Sequence, residues 1–175
     1  GQVRQAEALL RWQHPVLGMV SPGEFIPLAE RTGSIQLLTA WVIEEVSRQL
    51  REWAGRGLRV QVSLNISTED LIDPKLPTRV GQLLMRYQVP AAQLIFEITE
   101  SGVLDYGLAS GLIELCHRHG IMVALDDFGT GYANLCHLHR LPFDTIKVDQ
   151  SFSHDMLDSP RAMAIVESAV QLGRA

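Results

Sequence analysis

The sequence predicts an α/β protein built as an incomplete TIM-type (β/α) barrel, with five to six of the eight strands present. Three observations lead there. Short β-rich runs alternate with helical patterns along the whole length, the form expected of parallel strands joined by helices. The first strand is not followed by the glycine-rich loop of a doubly wound nucleotide-binding sheet. The 175 residues also fall short of the roughly 250 that a closed eightfold barrel takes. The chain opens on Gly1 and stops at Ala175 inside a helical pattern, so both ends are expected to be cut.

The first strand is expected over Ala6–Trp12, where Glu7 opens the run Glu7-Ala8-Leu9-Leu10-Arg11-Trp12. His14-Pro15 and Ser21-Pro22-Gly23 read as turns. A helix is predicted over Ile35–Trp53, with Leu37, Leu38, Trp41, Val42, Val46 and Leu50 forming its apolar face. In the strand expected over Leu58–Ile66, alternation sets Val60, Val62 and Leu64 against Ser63 and Asn65. A helix over 77–87 leads to a strand over Leu94–Thr99, where Glu97 faces away from Phe96 and Ile98. A helix over 108–119 precedes a strand over Ile121–Asp126 that ends on Asp126-Asp127. The last strand, Thr145–Val148, puts Lys147 and Asp149 opposite Ile146 and Val148, and a final helix is expected over 161–172. Gly57, Pro90, Gly120 and Pro142 punctuate these elements.

Composition narrows the function. With 46% hydrophobic and 20% charged residues the chain has the make-up of a globular domain, one partial domain over residues 1–175. A net charge of −5 leaves no basic footprint for a nucleic-acid polymer. Cys116 and Cys136 make no disulfide framework and suit a reducing compartment, so a cytoplasmic location is expected. No run is long and apolar enough for a membrane-spanning helix.

The strands end in the wrong residues for a plain core. A single acid at a strand end is explained by capping of the next helix. Here successive strands deliver Glu7, Asn65, Glu97, Asp126 with Asp127, and Lys147 with Asp149. In a parallel barrel the C-terminal strand ends gather on one face, where chemistry is built. Glu7, Asn65, Glu97, Asp126 and Asp127 are hard oxygen donors, suited to Mg2+ or Mn2+ rather than zinc. Adjacent carboxylates can hold two such cations, which activate a water and stabilise both oxygens of a phosphodiester displacement. Lys147 could orient that water or offset charge on phosphate. A salt bridge to Asp149 is the competing, compatible reading.

Six ordered blocks carry a family resemblance: Glu-Ala-Leu-Leu-Arg-Trp from Glu7, Phe-Ile-Pro-Leu-Ala-Glu from Phe25, Asn-Ile-Ser from Asn65, Glu-Ile-Thr-Glu from Glu97, Asp-Asp-Phe-Gly-Thr-Gly from Asp126 and Lys-Val-Asp-Gln-Ser-Phe from Lys147. The chain resembles the EAL-domain cyclic-di-GMP phosphodiesterases over essentially its whole length. The resemblance implies a barrel with one reversed strand that hydrolyses cyclic-di-GMP to linear pGpG with two Mg2+ or Mn2+ ions. It implies Glu7, Asn65, Glu97 and Asp126 as ligands of the first metal, and Asp126 with Asp127 toward the second. It implies Lys147, with Asp149 beside it, as the holder of the catalytic water, and Arg11, Leu10 and Pro27 as substrate-binding positions. Glu100 is implied to fix the loop after Asp127, a loop tied to dimerisation. A homodimer, fused sensor or GGDEF domains and a membrane-anchored parent are compatible with it.

The chain also departs from the family pattern. The strand before the Glu-Ala-Leu block and the last two strands are missing, and with them a glutamate in an Ala-Glu-Gly-Val-Glu-like block that completes the second metal site. Glu167 lies in a helix ahead of that place, so the fragment is expected to be impaired, or not to fold alone. Ala133 and Asn134 replace serines, and Gln150 replaces a frequent arginine. The alternative function is a cyclic-di-GMP receptor that binds without cleaving. Asp127-Phe128-Gly129 imitates a kinase triplet, but no glycine-rich phosphate loop or His-Arg-Asp block accompanies it. Cys116-His117-Arg118-His119 and Cys136-His137-Leu138-His139 lack zinc-finger spacing and read as helix residues.

Overall fold

The computed structural model describes residues 3–103, 106–130 and 141–173. In chain order it contains β1 (Gln5–Ala8), β2 (Trp12–His14), β3 (Gly18–Val20), α1 (Pro22–Arg31), α2 (Ile35–Gly55), β4 (Gln61–Asn65), α3 (Thr68–Leu71) and α4 (Leu76–Tyr87). There follow β5 (Leu94–Thr99), α5 (Tyr106–Arg118), β6 (Met122–Phe128), β7 (Thr145–Val148), α6 (Gln150–Asp155) and α7 (Pro160–Leu172). Five strands form one parallel sheet in the order β1-β4-β5-β6-β7. Strands that neighbour one another in chain order, wound always the same way, make an arc of a barrel rather than a doubly wound sheet. The incomplete TIM-type architecture is as the sequence predicts.

Alternation along the strands gives the arc two unlike faces. Val62, Leu64, Leu94, Phe96, Ile98, Val123 and Leu125 point to the helices and are buried with Leu50, Val80, Leu84, Ile113 and Cys116 in the core. Cys116 is thus a core residue, while its neighbour His117 reaches Asp144 Oδ2 at 2.9 Å. The second Cys-His run, together with Ala133 and Asn134, lies outside the described residues. No helix among the described residues is long and apolar enough to cross a membrane.

The structure corrects several expectations. The first strand stops at Ala8, and Trp12 begins a separate antiparallel hairpin, β2–β3, across the turn at Pro15. His14 Nδ1 accepts from the backbone N–H groups of Val16 and Leu17, each at 3.1 Å, which closes that turn. Ser21-Pro22-Gly23 is the start of α1, with Pro22 in the first turn, where its missing N–H costs nothing. Trp12 packs edge-to-face on Phe25, seating α1 against the hairpin. On α2, Leu37 and Trp41 are 74% and 59% exposed. Val46 and Leu50 are buried as predicted, and Ile35, Thr39, Ile43 and Ser47 complete the buried stripe.

That stripe holds polar residues because partners await them. Ser47 donates to the Ile43 carbonyl at 2.7 Å. Thr39 donates at 2.7 Å to Asp70 Oδ2, on a side chain only 1% exposed. Asp70 also accepts from the Ser67 hydroxyl at 2.7 Å and its N–H at 3.2 Å, closing a capping box on α3. One carboxylate thus ties α2 to the loop that leaves Asn65. Asp70→Ala strands a buried hydroxyl and an N–H, and we expect a loss of about 2–3 kcal/mol in urea unfolding with an unchanged m-value.

Candidate active site

Strand register assembles the inner face of the arc. Glu7 pairs across the ladder with Ser63, Asn65 with Glu97, Glu97 with Ala124, and Ala124 with Thr145. Parallel strands side by side bring side chains of the same parity into rows, so Glu7, Asn65, Glu97, Asp126 and Lys147 share this face. Ser63 and Ala124 are small, which leaves room in the row for the longer acid and lysine. The predicted acids therefore meet through neighbouring strands, with no long loop needed.

Lys147 stands at their meeting point. Its Nζ lies 2.7 Å from Glu97 Oε1, 3.4 Å from Asp126 Oδ1 and 3.7 Å from Glu7 Oε2. Asn65 Nδ2 donates to Glu7 Oε1 at 3.2 Å, adding a fifth strand to the cluster. Glu97 is 0% exposed, and neither of its oxygens receives a well-aligned hydrogen bond. The ammonium approaches Oε1 closely but off the hydrogen-bond direction, so the contact is an ion pair, for which alignment matters less. Burial works to lower the Lys147 pKa, but Glu97, Asp126 and Glu7 outweigh it and hold the ammonium above its ordinary value. The salt bridge to Asp149 does not form. Asp149 instead caps α6, accepting from the N–H of Ser151 at 2.9 Å and from its hydroxyl, contacts that depress its carboxyl pKa.

Strict alternation would send adjacent Asp126 and Asp127 to opposite faces. The β6–β7 register shifts between Leu125 and Phe128, so one extra residue is accommodated in β6. Asp127 takes φ +55°, a left-handed conformation uncommon for a side-chain-bearing residue. Its carboxyl is pushed above the ordinary range by burial, then by the charges of Asp126 and Asp149, with Lys147 opposing. Asp127 thus shares the electrostatic surroundings of the cluster. The turn that follows is held from two sides. Glu100, buried, accepts from the Gly129 N–H at 2.8 Å. A Cβ on Gly129, at φ +101°, would lie 2.7 Å from Ile165 and 2.8 Å from Phe152. Sequence reasoning missed these two residues, because their signal is a contact between α6, α7 and a distant turn.

A cavity of about 330 Å3 opens beside the acids and shares Asn65 with them. Leu10 and Arg11 line it, as do Ile26, Glu30 and Thr99. Pro27 is not among its lining residues. It sits inside α1, directly after Ile26, and Ile26 and Glu30 line the wall that the helix presents to the cavity. Glu30 closes the Phe25 block and could have been chosen there. Arg11 Nη1 donates to the Leu10 carbonyl at 2.8 Å.

Among the described residues no three His, Cys, Asp or Glu side chains form a ready metal cage. The carboxylates converge on the ammonium. The donor chemistry nevertheless fits a hard divalent cation: oxygen ligands from four strands, including a buried carboxylate whose Oε2 has no partner.

The EAL domain family model matches residues 1–175. The chain is 39% identical over 173 residues to a cyclic di-GMP phosphodiesterase of Pseudomonas aeruginosa, covering 98% of this chain and 30% of that protein. It is 39% identical over 176 residues to the cyclic di-GMP phosphodiesterase PdeR of Escherichia coli, covering 27% of that protein. The chain thus spans less than a third of the length of these curated relatives. Among solved structures it is similar to the PaMucR phosphodiesterase in complex with c-di-GMP, at a TM-score of 0.90 and 37% identity, covering 99% of this chain and 71% of that one. With its parallel arc, its ordered sequence blocks and a match over its full length, the chain belongs to the EAL domain family.

Proposed function

We propose that the domain to which this chain contributes hydrolyses cyclic-di-GMP to linear pGpG, with Mg2+ or Mn2+ held by Glu7, Asn65, Glu97, Asp126 and Asp127. The observation that carries this reading is the convergence of acids from adjacent parallel strands on one point, around a buried carboxylate that needs a cation. The cations, when bound, supply an activated water and positive charge on the phosphodiester oxygens. The residues of the chain do the rest. Arg11, at the rim of the cavity beside Asn65, offers a guanidinium to a substrate phosphate. Lys147 supplies a positive charge next to the reacting phosphate, and Asp149, on the same strand end, is placed beside it. Leu10 and its neighbours give the cavity an apolar wall suited to a nucleobase. Glu100 holds the backbone after Asp127 and so positions both aspartates. Similarity to phosphodiesterases and to a structure in complex with c-di-GMP supports the substrate.

For the whole protein the same reading includes a homodimer, fused sensor or GGDEF domains, and a cytoplasmic location where the nucleotide is met. The family pattern calls for a further glutamate at the second metal, and Glu167, exposed on α7, does not take its place.

Product chromatography with Mn2+ present tests the reaction. A polypeptide extended to carry the following strands is expected to make pGpG, and EDTA to stop it. Asp126→Asn in that polypeptide should lower turnover by at least about 100-fold, the scale of losing a preorganised charge-stabilising group. Nucleotide retained unchanged would instead identify a receptor. The 175-residue chain alone is expected to turn over far more slowly than the extended one, and equal rates would contradict the role given to the further glutamate.

A further inference from the structure

Lys147 lies closer to the acids than a group that only attends the substrate needs to be. Its ammonium stands within 3.7 Å of oxygens from Glu7, Glu97 and Asp126, which come from three different strands. The same three carboxylates are the proposed ligands of a divalent cation. An ammonium and a metal compete for the charge of these carboxylates, because two cations in one half-buried site repel strongly. Glu97 sits at the middle of β5 and cannot follow a departing partner, and its burial makes an uncompensated charge costly. Lys147 is the mobile member of the pair. Its side chain is 32% exposed and carries a point charge on a flexible four-carbon stem.

We propose that Lys147 is a built-in placeholder cation: it holds Glu7, Glu97 and Asp126 together, yields their oxygens to an arriving divalent metal, and is thereby released toward the substrate. This rests on the metal-dependent reading above and deepens it. Metal loading then does two things at once, completing the site and freeing the ammonium. A static ion pair behaves differently. If Lys147 stayed on Glu97 throughout, it would brace the metal ligands, and removing it would loosen them.

The two arrangements shift metal affinity in opposite directions, so Mn2+ alone, without nucleotide, is a sufficient probe. Binding is measured on the full chain by titration of free Mn2+ through its paramagnetic resonance signal, and melting is followed in EDTA and in Mn2+. Lys147→Met is expected to bind Mn2+ about tenfold tighter than the parent, within the usual range for coupling between two neighbouring ligands. It should melt lower than the parent in EDTA and gain more from Mn2+. Lys147→Arg, which keeps the charge, should bind no tighter than the parent. If Lys147→Met is unfolded in EDTA, recovery of the fold on adding Mn2+ supports the proposal, and failure to recover overturns it. Binding by Lys147→Met that equals the parent's or is weaker overturns the placeholder role while leaving the metal reading intact. No Mn2+ binding by the parent or either variant overturns both.

Discussion

The ion pair between Lys147 and the buried Glu97 is the constraint around which this face is arranged. A carboxylate at the centre of a central strand, shut off from water, is tolerated only beside a positive charge. That requirement accounts for several neighbours. Ala124, the ladder partner of Glu97 on the side of the last strands, is small, giving the lysine a path inward. Asp126 and Glu7 share the ammonium, so the charge of one side chain is spread over three acids. Asn65, fixed at the end of β4, contributes a dipole where a further charge would overload the cluster.

A second constraint is the extra residue in β6. An even ladder would have separated Asp126 from Asp127, and the bulge brings both into the same field. The strained backbone at Asp127 persists because the turn beyond it is over-determined, by Glu100 on the Gly129 amide and by Phe152 and Ile165 against its α-carbon. The helices after β7 therefore bear directly on the geometry of the acids.

The substrate side is built by a different set of contacts. Trp12 on the hairpin fixes Phe25 and hence α1, and Asp70 ties α2 to the end of β4. Those elements wall the cavity that meets the acids at Asn65. The apolar core between sheet and helices thus sets strand positions, while a few buried polar links set the binding wall.

Sequence alone determined the parallel α/β architecture and the roster of acids. Period-two alternation is a property of each strand by itself, so Glu97 opposite Phe96 and Ile98, or Asn65 opposite Leu64, could be assigned before any pairing was known. The six ordered blocks similarly placed the chain beside one family. Tertiary structure decided what depends on partners. Thr39 and Ser47 are buried where hydropathy favoured Leu37 and Trp41, because Asp70 and a helix carbonyl await them. Lys147 chose Glu97, Asp126 and Glu7 over its near neighbour Asp149, because register brings three strands together around it while Ser151 engages Asp149. Local pattern fixes which way a side chain points, and only the packing of distant segments fixes what it meets there.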